Sequence, residues 1–284
     1  MSALPRASVV VPVKDGGEGI ERLVRSLQAL DYPRDRIEIL VVDNRSTDRT
    51  AERVAALGAA VVRADDVASS YHARNVGWRA ASGEWIAFTD ADCVAPAGWL
   101  RGLLAPPIPP AAGAILGEVV ALELETAVQR LTERFGIMKH AVTMPHKRLA
   151  CFSTANVAIR RDVLERLGGF REDVRYFGDM ELSWRMQLEL GVELVFRPEA
   201  EILHRHRRTW AELWRHGVQH GRGVAFMKRA YPDRYAIEAR EQAGRVGGIV
   251  RALARDGAAG AMFQVVWLAG MTAGYLRGPA WSRE

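Results

Sequence analysis

Cysteine is nearly absent: only Cys93 and Cys151 occur in 284 residues, and they do not form a C-x-x-C pair. That argues against a disulfide-stapled scaffold and a zinc–thiolate centre, and it is compatible with a reducing compartment. A glycine-rich phosphate loop is also missing. Residues 1–92 hold neither G-x-G-x-x-G nor G-x-x-x-x-G-K-[ST], which counts against dinucleotide-binding and P-loop readings. No internal repeat is visible. The opening MSALPRASVVVPVKDG is not a signal peptide, because its apolar run is too short and turns at once into a charged loop. With 49% hydrophobic and 26% charged residues the chain is globular rather than disordered. Its net charge of +5 favours acidic partners such as nucleotides, phosphorylated lipids or an anionic membrane; no nucleic-acid partner is expected.

What is present is an alternation. Residues 8–13 hold the β-branched run Val9-Val10-Val11-Pro12-Val13, which ends in the loop Lys14-Asp15-Gly16-Gly17. Ile20, Leu23, Val24 and Leu27 then recur at helical spacing within 18–30, and Pro33 ends that segment. A second strand is expected over 37–42, closed by Asp43-Asn44-Arg45-Ser46-Thr47-Asp48. Ser46 or Thr47 is placed to cap the helix that runs to Leu57, which Gly58 stops. Residues 59–62 read as a third strand, and 68–81 as a helix ended by Gly83. The fourth apolar run, Trp85-Ile86-Ala87-Phe88, follows the turn signal Ser82-Gly83 and ends in two carboxylates one residue apart, Asp90 and Asp92.

This order, β-α-β-α-β-α-β, predicts a parallel, doubly wound sheet with helices on both faces. Such sheets place ligands outside the carboxyl ends of their strands. There the loops Lys14-Asp15, Asp43-Asn44 and Asp90-Ala91-Asp92 converge. Paired hard oxygen ligands at that edge suit a divalent cation that holds a phosphate. The competing reading is that they cap the next helix, near Pro96.

The second half is less patterned. Ala105-Pro106-Pro107-Ile108-Pro109-Pro110 is a rigid connector. It marks a boundary between a nucleotide half, about 1–104, and an acceptor half, about 111–208. Strands are expected over 114–122, 192–196 and 200–203, and helices over 125–140, 161–167 and 179–190, with 150–159 mixed. Trp78, Trp85 and Trp99 are read as core, and Cys93 as a small buried residue rather than a nucleophile. In His204-Arg205-His206-Arg207-Arg208 a neutral imidazole can complete a metal site. His204 is the first choice, because it directly ends a strand, and His206 the second; a basic loop facing solvent or anionic lipid is the alternative.

Residues 209–284 form a basic helical C-terminal region. An amphipathic helix is expected over 210–228, with Trp210, Leu213, Trp214, Gly217 and Val218 on one side. Residues 236–255 are mixed basic and helical. No charge occurs over 257–275, which is near the length of a membrane span. That stretch is rich in Ala and Gly, holds Gln264 and Thr272, and contains Gly270 and Gly274 in a GxxxG pattern that permits close helix packing. A helix lying on the membrane, a span and a soluble packing helix all stay open.

The pieces VVVPVKDG, ILVVDNRSTDRT and ARNVGWRAASGEWIAFTDAD, followed by GGF, GDMELSWR and the histidine-rich HRHRRT, resemble the inverting family 2 glycosyltransferases of GT-A fold. The likeness covers roughly residues 8–230. It implies a Rossmann-like, mostly parallel α/β sheet flanked by helices over 1–208, with a helical C-terminal tail. It also implies transfer of a sugar from a nucleotide diphosphate sugar, a UDP-sugar foremost, to a hydroxyl of a polysaccharide, glycolipid or lipid-linked acceptor. By the same resemblance Asp92 binds a divalent cation, Mn2+ or Mg2+, and Asp90 contacts the ribose and helps place the metal. Asp43 accepts from the base N–H with Pro12 and Val13 nearby, and Arg74 packs by the pyrimidine. Asp179 is the general base, with Glu181 as the alternative one position-slip away, and Arg185 is placed to orient either carboxylate. Thr154 and Asn156 lie where relatives approach donor sugar or acceptor.

The chain departs from the family pattern at Gly178, where an acidic residue is expected. That keeps a non-catalytic nucleotide-sugar or lipid binding module in view; a nucleotidyltransferase of similar sheet architecture is the other rival. A cytoplasmic location is expected, with the inner face of the plasma membrane as one option.

Overall fold

The computed structural model describes residues 3–143, 149–233 and 239–281. They form two compact units, one of Met1–Leu122, Ile137–Glu172 and Gly178–Arg205, the other of Glu123–Gly136, Asp173–Phe177 and His206–Glu284.

The first unit opens with β1 (Ala7–Val13), α1 (Gly19–Gln28), a 3-10 turn at Arg34–Arg36, β2 (Ile37–Asp43), α2 (Thr50–Ala56), β3 (Ala60–Arg63), α3 (Ser70–Ala80) and β4 (Trp85–Phe88). This is the expected alternation, and its four strands pair in parallel. Every residue of β1 is buried because the strand is covered on both faces. Val9, Val11 and Val13 join Ile20, Leu23, Val24 and Leu27 of α1 in the main core. The opposite face meets α3, whose Gly77 lies so close that a Cβ there would collide with Val10 and Val42.

The later elements are β5 (Cys93–Val94), α4 (Trp99–Leu104) and β6 (Ala112–Ala121), then, beyond α5 (Ala127–Phe135) of the second unit, α6 (His140–Thr143), β7 (Val157–Arg160), α7 (Arg161–Leu167), α8 (Gly178–Leu190) and β8 (Glu193–His204). One eight-stranded sheet results, in the order β3-β2-β1-β4-β7-β6-β8-β5. The proline-rich connector is therefore no break in the sheet.

The sheet as a whole is mostly parallel, as expected, and mixed beyond its first four strands. β7 is antiparallel to both β4 and β6, and β5 is antiparallel to β8, while β6 and β8 are parallel. Three differences from the expected elements have local causes. The strands expected over 192–196 and 200–203 are one strand whose pairing shifts between Gly117 and Val119, opposite the stretch that contains Pro198, a residue with no N–H to give a ladder. The helix expected over 125–140 ends at Gly136, which takes the left-handed conformation at φ 64°. β5, of two residues, is too short to show any periodicity.

In the second unit, α5 and α9 (Trp210–Ala230) each begin with a capping box, Thr126 with Gln129 and Thr209 with Glu212. α10 (Ala239–Arg277) is interrupted at Gly257, whose φ of 65° and ψ of −159° are not helical. Of the stretch expected over 236–255, residues 236–238 lie outside the described residues. α9 and the last part of α10 run side by side in the same direction. A Cβ on Gly270 would meet the Trp214 carbonyl, one on Gly274 the Val218 carbonyl, and Arg222 donates to the Gly278 and Pro279 carbonyls. The GxxxG glycines thus serve a contact within the chain, and Phe263 stacks on Phe135 of α5 at 5.1 Å.

Candidate active site

β1, β2 and β4 are adjacent and parallel, so their carboxyl ends open on one edge. The loops after β1 and β2 are laced together there. The Asp15 carboxylate accepts from Thr47 N at 2.7 Å and Asp48 N at 3.3 Å, and Asp15 N donates to Ser46 Oγ at 2.9 Å. The Thr47 N–H leads in holding the Asp15 carboxyl below its ordinary range. Ser46 and Thr47 are therefore spent on Asp15 and do not cap α2. Asp48 takes that part, with Oδ1 accepting from Thr50 N at 3.0 Å.

Asp43 ends β2 and is buried. Its neighbours in register on β1 are Val13 and, one step back, Pro12 opposite Val42. Its carboxylate accepts from Ser46 N at 3.0 Å and from Arg63 Nη1 at 2.5 Å. Arg63 sits opposite Asp43 on β3, a pairing that only the strand register reveals.

Arg74 is buried on α3, not solvated. It donates to Asp90 Oδ1 at 2.5 Å and to the Ser70 carbonyl at 3.2 Å. Asp90, Asp92 and His204 come together, with one potential ligand atom from each lying within 4.8 Å of the others. β5 makes this possible: Cys93 pairs with His204, so the two-residue strand sets the end of β8 beside Asp92. Asp92 Oδ1 and His204 Nε2 are 3.5 Å apart, and Arg205 N donates to the Asp92 carbonyl at 3.1 Å. Two carboxylates and one imidazole suit a divalent cation that accepts oxygen and nitrogen ligands. Beside Asp92 lies a cavity of about 250 Å³ whose lining includes Lys14, Arg22 and Arg205 along with the carboxylates of Asp15 and Asp92; the three cations suit phosphate oxygens. His206, the second choice, is not part of the cluster. It is buried, with Nε2 3.1 Å from Glu133 Oε2 in the second unit.

Asp179 stands in the first turn of α8. Met180 N donates to its Oδ1 at 2.9 Å, and the Tyr71 hydroxyl lies 3.5 Å from the same oxygen. Loss of hydration raises the Asp179 pKa above its ordinary value; the Met180 N–H and the Arg74 charge oppose this, and the Asp90 charge adds to it. Phe177, just before α8, has φ 64°, a left-handed conformation rare for an aromatic residue and of a kind that clusters at functional sites.

Of the two carboxylates that Arg185 could orient, it holds Glu181. Glu181 is buried and held by Arg185 Nε at 2.9 Å and Nη2 at 3.0 Å. Arg185 also donates to the Leu167 and Gly169 carbonyls. The pair is a closed clamp on the Gly168-Gly169 turn, so Glu181 is not exposed to an acceptor and Arg185 orients it rather than Asp179.

Asn156 is held inside the fold. It is fully buried, its Oδ1 accepts from Trp99 Nε1 at 2.8 Å, and its Nδ2 donates to the Glu118 and Ala200 carbonyls. It joins β6, β8 and α4, with both Nδ2 hydrogens given to backbone carbonyls. Thr154 is also buried. Trp78, Trp85 and Trp99 are core residues as expected, and burial leads in pushing the Cys93 thiol up, consistent with an inert packing residue.

Asn75 explains why two distant segments belong together. Its side chain accepts from Phe170 N at 2.9 Å and donates to the Phe170 carbonyl and to Glu172 Oε1. Glu172 Oε2 lies 2.7 Å from His72 Nδ1. The Ala73-Arg74-Asn75 helix and the Gly168-Gly169-Phe170 turn are thereby stitched side by side. Spacing offered no signal for Tyr71 or Arg63, or for this use of His72 and Glu172.

A mostly parallel sheet between helices, carrying two carboxylates and a histidine at its carboxyl edge, defines a GT-A type α/β protein. Residues 8–168 match the family described as Glycosyl transferase family 2, and the chain belongs to that family. The glycosyltransferase AglE of Haloferax volcanii is 30% identical over 231 residues, covering 78% of this chain and 74% of AglE. The pre-mycofactocin glycosyltransferase of Mycobacterium tuberculosis is 26% identical over 249 residues, covering 81% of this chain; the match spans 49%, about half, of that relative's length. Among solved structures, the mannosyltransferase PcManGT of Pyrobaculum calidifontis, in complex with GDP-Man and Mn2+, superposes with a TM-score of 0.71 at 22% identity, covering 97% of this chain and 88% of its own. At that identity the likeness speaks for the fold.

Proposed function

We propose that the protein is a metal-dependent, inverting glycosyltransferase that moves a sugar from a nucleotide diphosphate sugar to an acceptor hydroxyl. The observation that carries this reading is the meeting of Asp90, Asp92 and His204 at the carboxyl edge of the sheet. Asp92 and His204 would hold Mn2+ or Mg2+, with Asp90 helping to place it and facing the ribose. When bound, such a cation supplies Lewis-acid stabilisation of the departing diphosphate. Asp43, flanked by Pro12 and Val13, accepts from the base N–H, and Arg74 packs beside the pyrimidine of a UDP-sugar. Asp179 takes the acceptor proton as the hydroxyl oxygen attacks the anomeric carbon opposite the leaving group, so configuration inverts in one displacement. Its raised pKa brings the base nearer to working pH. A thermal-shift screen of UDP-, GDP- and other nucleotide sugars, with and without Mn2+, tests the reading. The expected result is a Tm rise that needs nucleotide and metal together, corresponding to about 2.7 kcal/mol at a hundredfold excess over Kd. No response to any nucleotide would sink it.

We further infer a lipid-linked or glycan acceptor approached at a membrane surface, on its cytoplasmic side. Support comes from the outward stripe of α10. Ala258, Met262, Val265, Ala269, Thr272 and Leu276 are all exposed, at spacings of three and four. The one hydroxyl among them is satisfied within the helix, Thr272 Oγ1 donating to the Leu268 carbonyl at 2.9 Å. Val250–Arg277 is long and apolar enough to cross a membrane, with a mean hydropathy of 1.2, but Gly257 breaks it and its other face is packed on α9 and α5. A helix lying in the interface fits those facts better than a span. The full chain should co-sediment with vesicles of phosphatidylcholine and phosphatidylserine, and Met262→Glu with Val265→Glu should release most of it. Protein that stays in the supernatant with every vesicle would rule the surface role out.

A further inference from the structure

Gly178 and Tyr71 fit each other. A Cβ on Gly178 would lie 2.8 Å from Cε2 and Cζ of Tyr71, closer than carbon atoms approach, so only glycine leaves room for the ring. The ring is held on other sides too. It stacks on Phe170 at 5.7 Å with 20° between planes, and the Arg74 guanidinium lies over it at 5.7 Å. The hydroxyl ends beside Asp179 Oδ1 and faces the backbone N–H groups of Gly178 and Asp179. Burial, then the Asp179 charge, push the Tyr71 pKa up, so the group is a protonated donor at any working pH. At 3.5 Å the contact is long, as catalytic hydrogen bonds often are before ligands bind.

We propose that Tyr71 is a positioning residue for the base: its ring occupies the space that Gly178 leaves, and its hydroxyl fixes the Asp179 carboxylate through Oδ1. The Met180 N–H converges on the same oxygen, which assigns Oδ2 to the acceptor proton. The role rests on Asp179 being the base. It gives the absence of a side chain at position 178 a steric reason, and it removes that absence as an argument for a non-catalytic module. Besides Tyr71, the charged groups acting on Asp179 are Arg74 of α3 and Asp90 after β4.

Tyr71→Phe keeps the ring and removes only the hydroxyl. Two measurements decide the matter, both checked against an unchanged Tm. In a carbon-13 NMR titration of the Asp179 carboxyl, the variant should titrate at higher pH than the parent, because the ionised carboxylate has lost a donor. UDP release from UDP-glucose, UDP-galactose and UDP-N-acetylglucosamine with Mn2+ should fall about tenfold in kcat, with KM for the donor little changed. Gly178→Ala, which displaces the ring but keeps the hydroxyl, should move both readouts in the same direction and reports independently if Tyr71→Phe fails to fold. A parental titration curve and parental kcat in Tyr71→Phe overturn the proposal. With Asp179→Asn inactive, that result removes Tyr71 alone; an Asp179→Asn variant as active as the parent removes the base and the positioning role together.

Discussion

Asp179→Asn is expected to lose about 10²–10⁴-fold in kcat while still binding nucleotide sugar and metal, because general base catalysis is worth about that much and the amide is of equal size. Stability should move the other way. Asp179 has a pKa raised mainly by desolvation, so its ionised form costs the folded state. The sign follows from the two states. Below the ordinary aspartate value both folded and unfolded chains hold the proton, and no cost arises. As pH climbs from there, the unfolded chain releases its proton first and gains on the folded one, until the folded carboxyl also ionises and the difference levels off. The asparagine variant should therefore match the parent near pH 3 (about the lower edge of ordinary aspartate titration) and exceed it in Tm at neutral pH. A variant less stable at neutral pH than at acid pH, relative to the parent, would contradict the desolvated-base reading. The activity profile should share the same origin, with the acid limb of kcat/KM above the ordinary aspartate value.

The second large effect concerns the carboxylate pair, and it separates two residues that look equivalent in the sequence. Asp92→Asn should reduce transfer by about 10²–10³-fold, the scale of losing one electrostatic stabiliser of a leaving group. It should also abolish the Mn2+ dependence of nucleotide-induced stabilisation, with little change in the ligand-free Tm. The Asp92 side chain is 38% exposed, and the His204 imidazole lies 3.5 Å from its Oδ1. Asp90→Asn should differ. Asp90 is the partner of a buried guanidinium, Arg74, and removing its charge leaves that cation uncompensated. A lowered Tm should accompany the lost activity there. Chelation by EDTA should reproduce the Asp92 variant, and readdition of Mn2+ or Mg2+ should restore the parent only. Equal Tm losses in the two variants would show that Arg74 does not depend on Asp90.

The first four strands and their helices were legible in the sequence because two local signals agree there. Apolar runs of strand length alternate with residues at helical spacing, and glycines and polar turns fall between them. The acidic strand ends were legible for the same reason, since a carboxylate directly after a buried strand can only lie at the sheet's edge. Elsewhere the deciding contact is one that periodicity does not show. The resemblance put Asn156 and Thr154 near sugar or acceptor, and the structure shows Asn156 as a buried strut between strands whose order no local pattern encodes. Glu181 looked like a second base, and Arg185, one helical turn on, neutralises it. Ser46 and Thr47 looked like helix caps, and the neighbouring loop takes them.

The sequence by itself determined that the chain is an α/β protein with carboxylates at the ends of its parallel strands, because strand and helix periodicity are properties of neighbouring residues. The tertiary structure alone decided which side chains meet those carboxylates. His204 reaches Asp92 through a two-residue strand. Arg74 turns inward to Asp90. Tyr71 finds Asp179 across 108 positions of chain because Gly178 has no side chain to keep it away. Such contacts are fixed by strand order and by the space left between packed elements, which exist only once the sheet has formed.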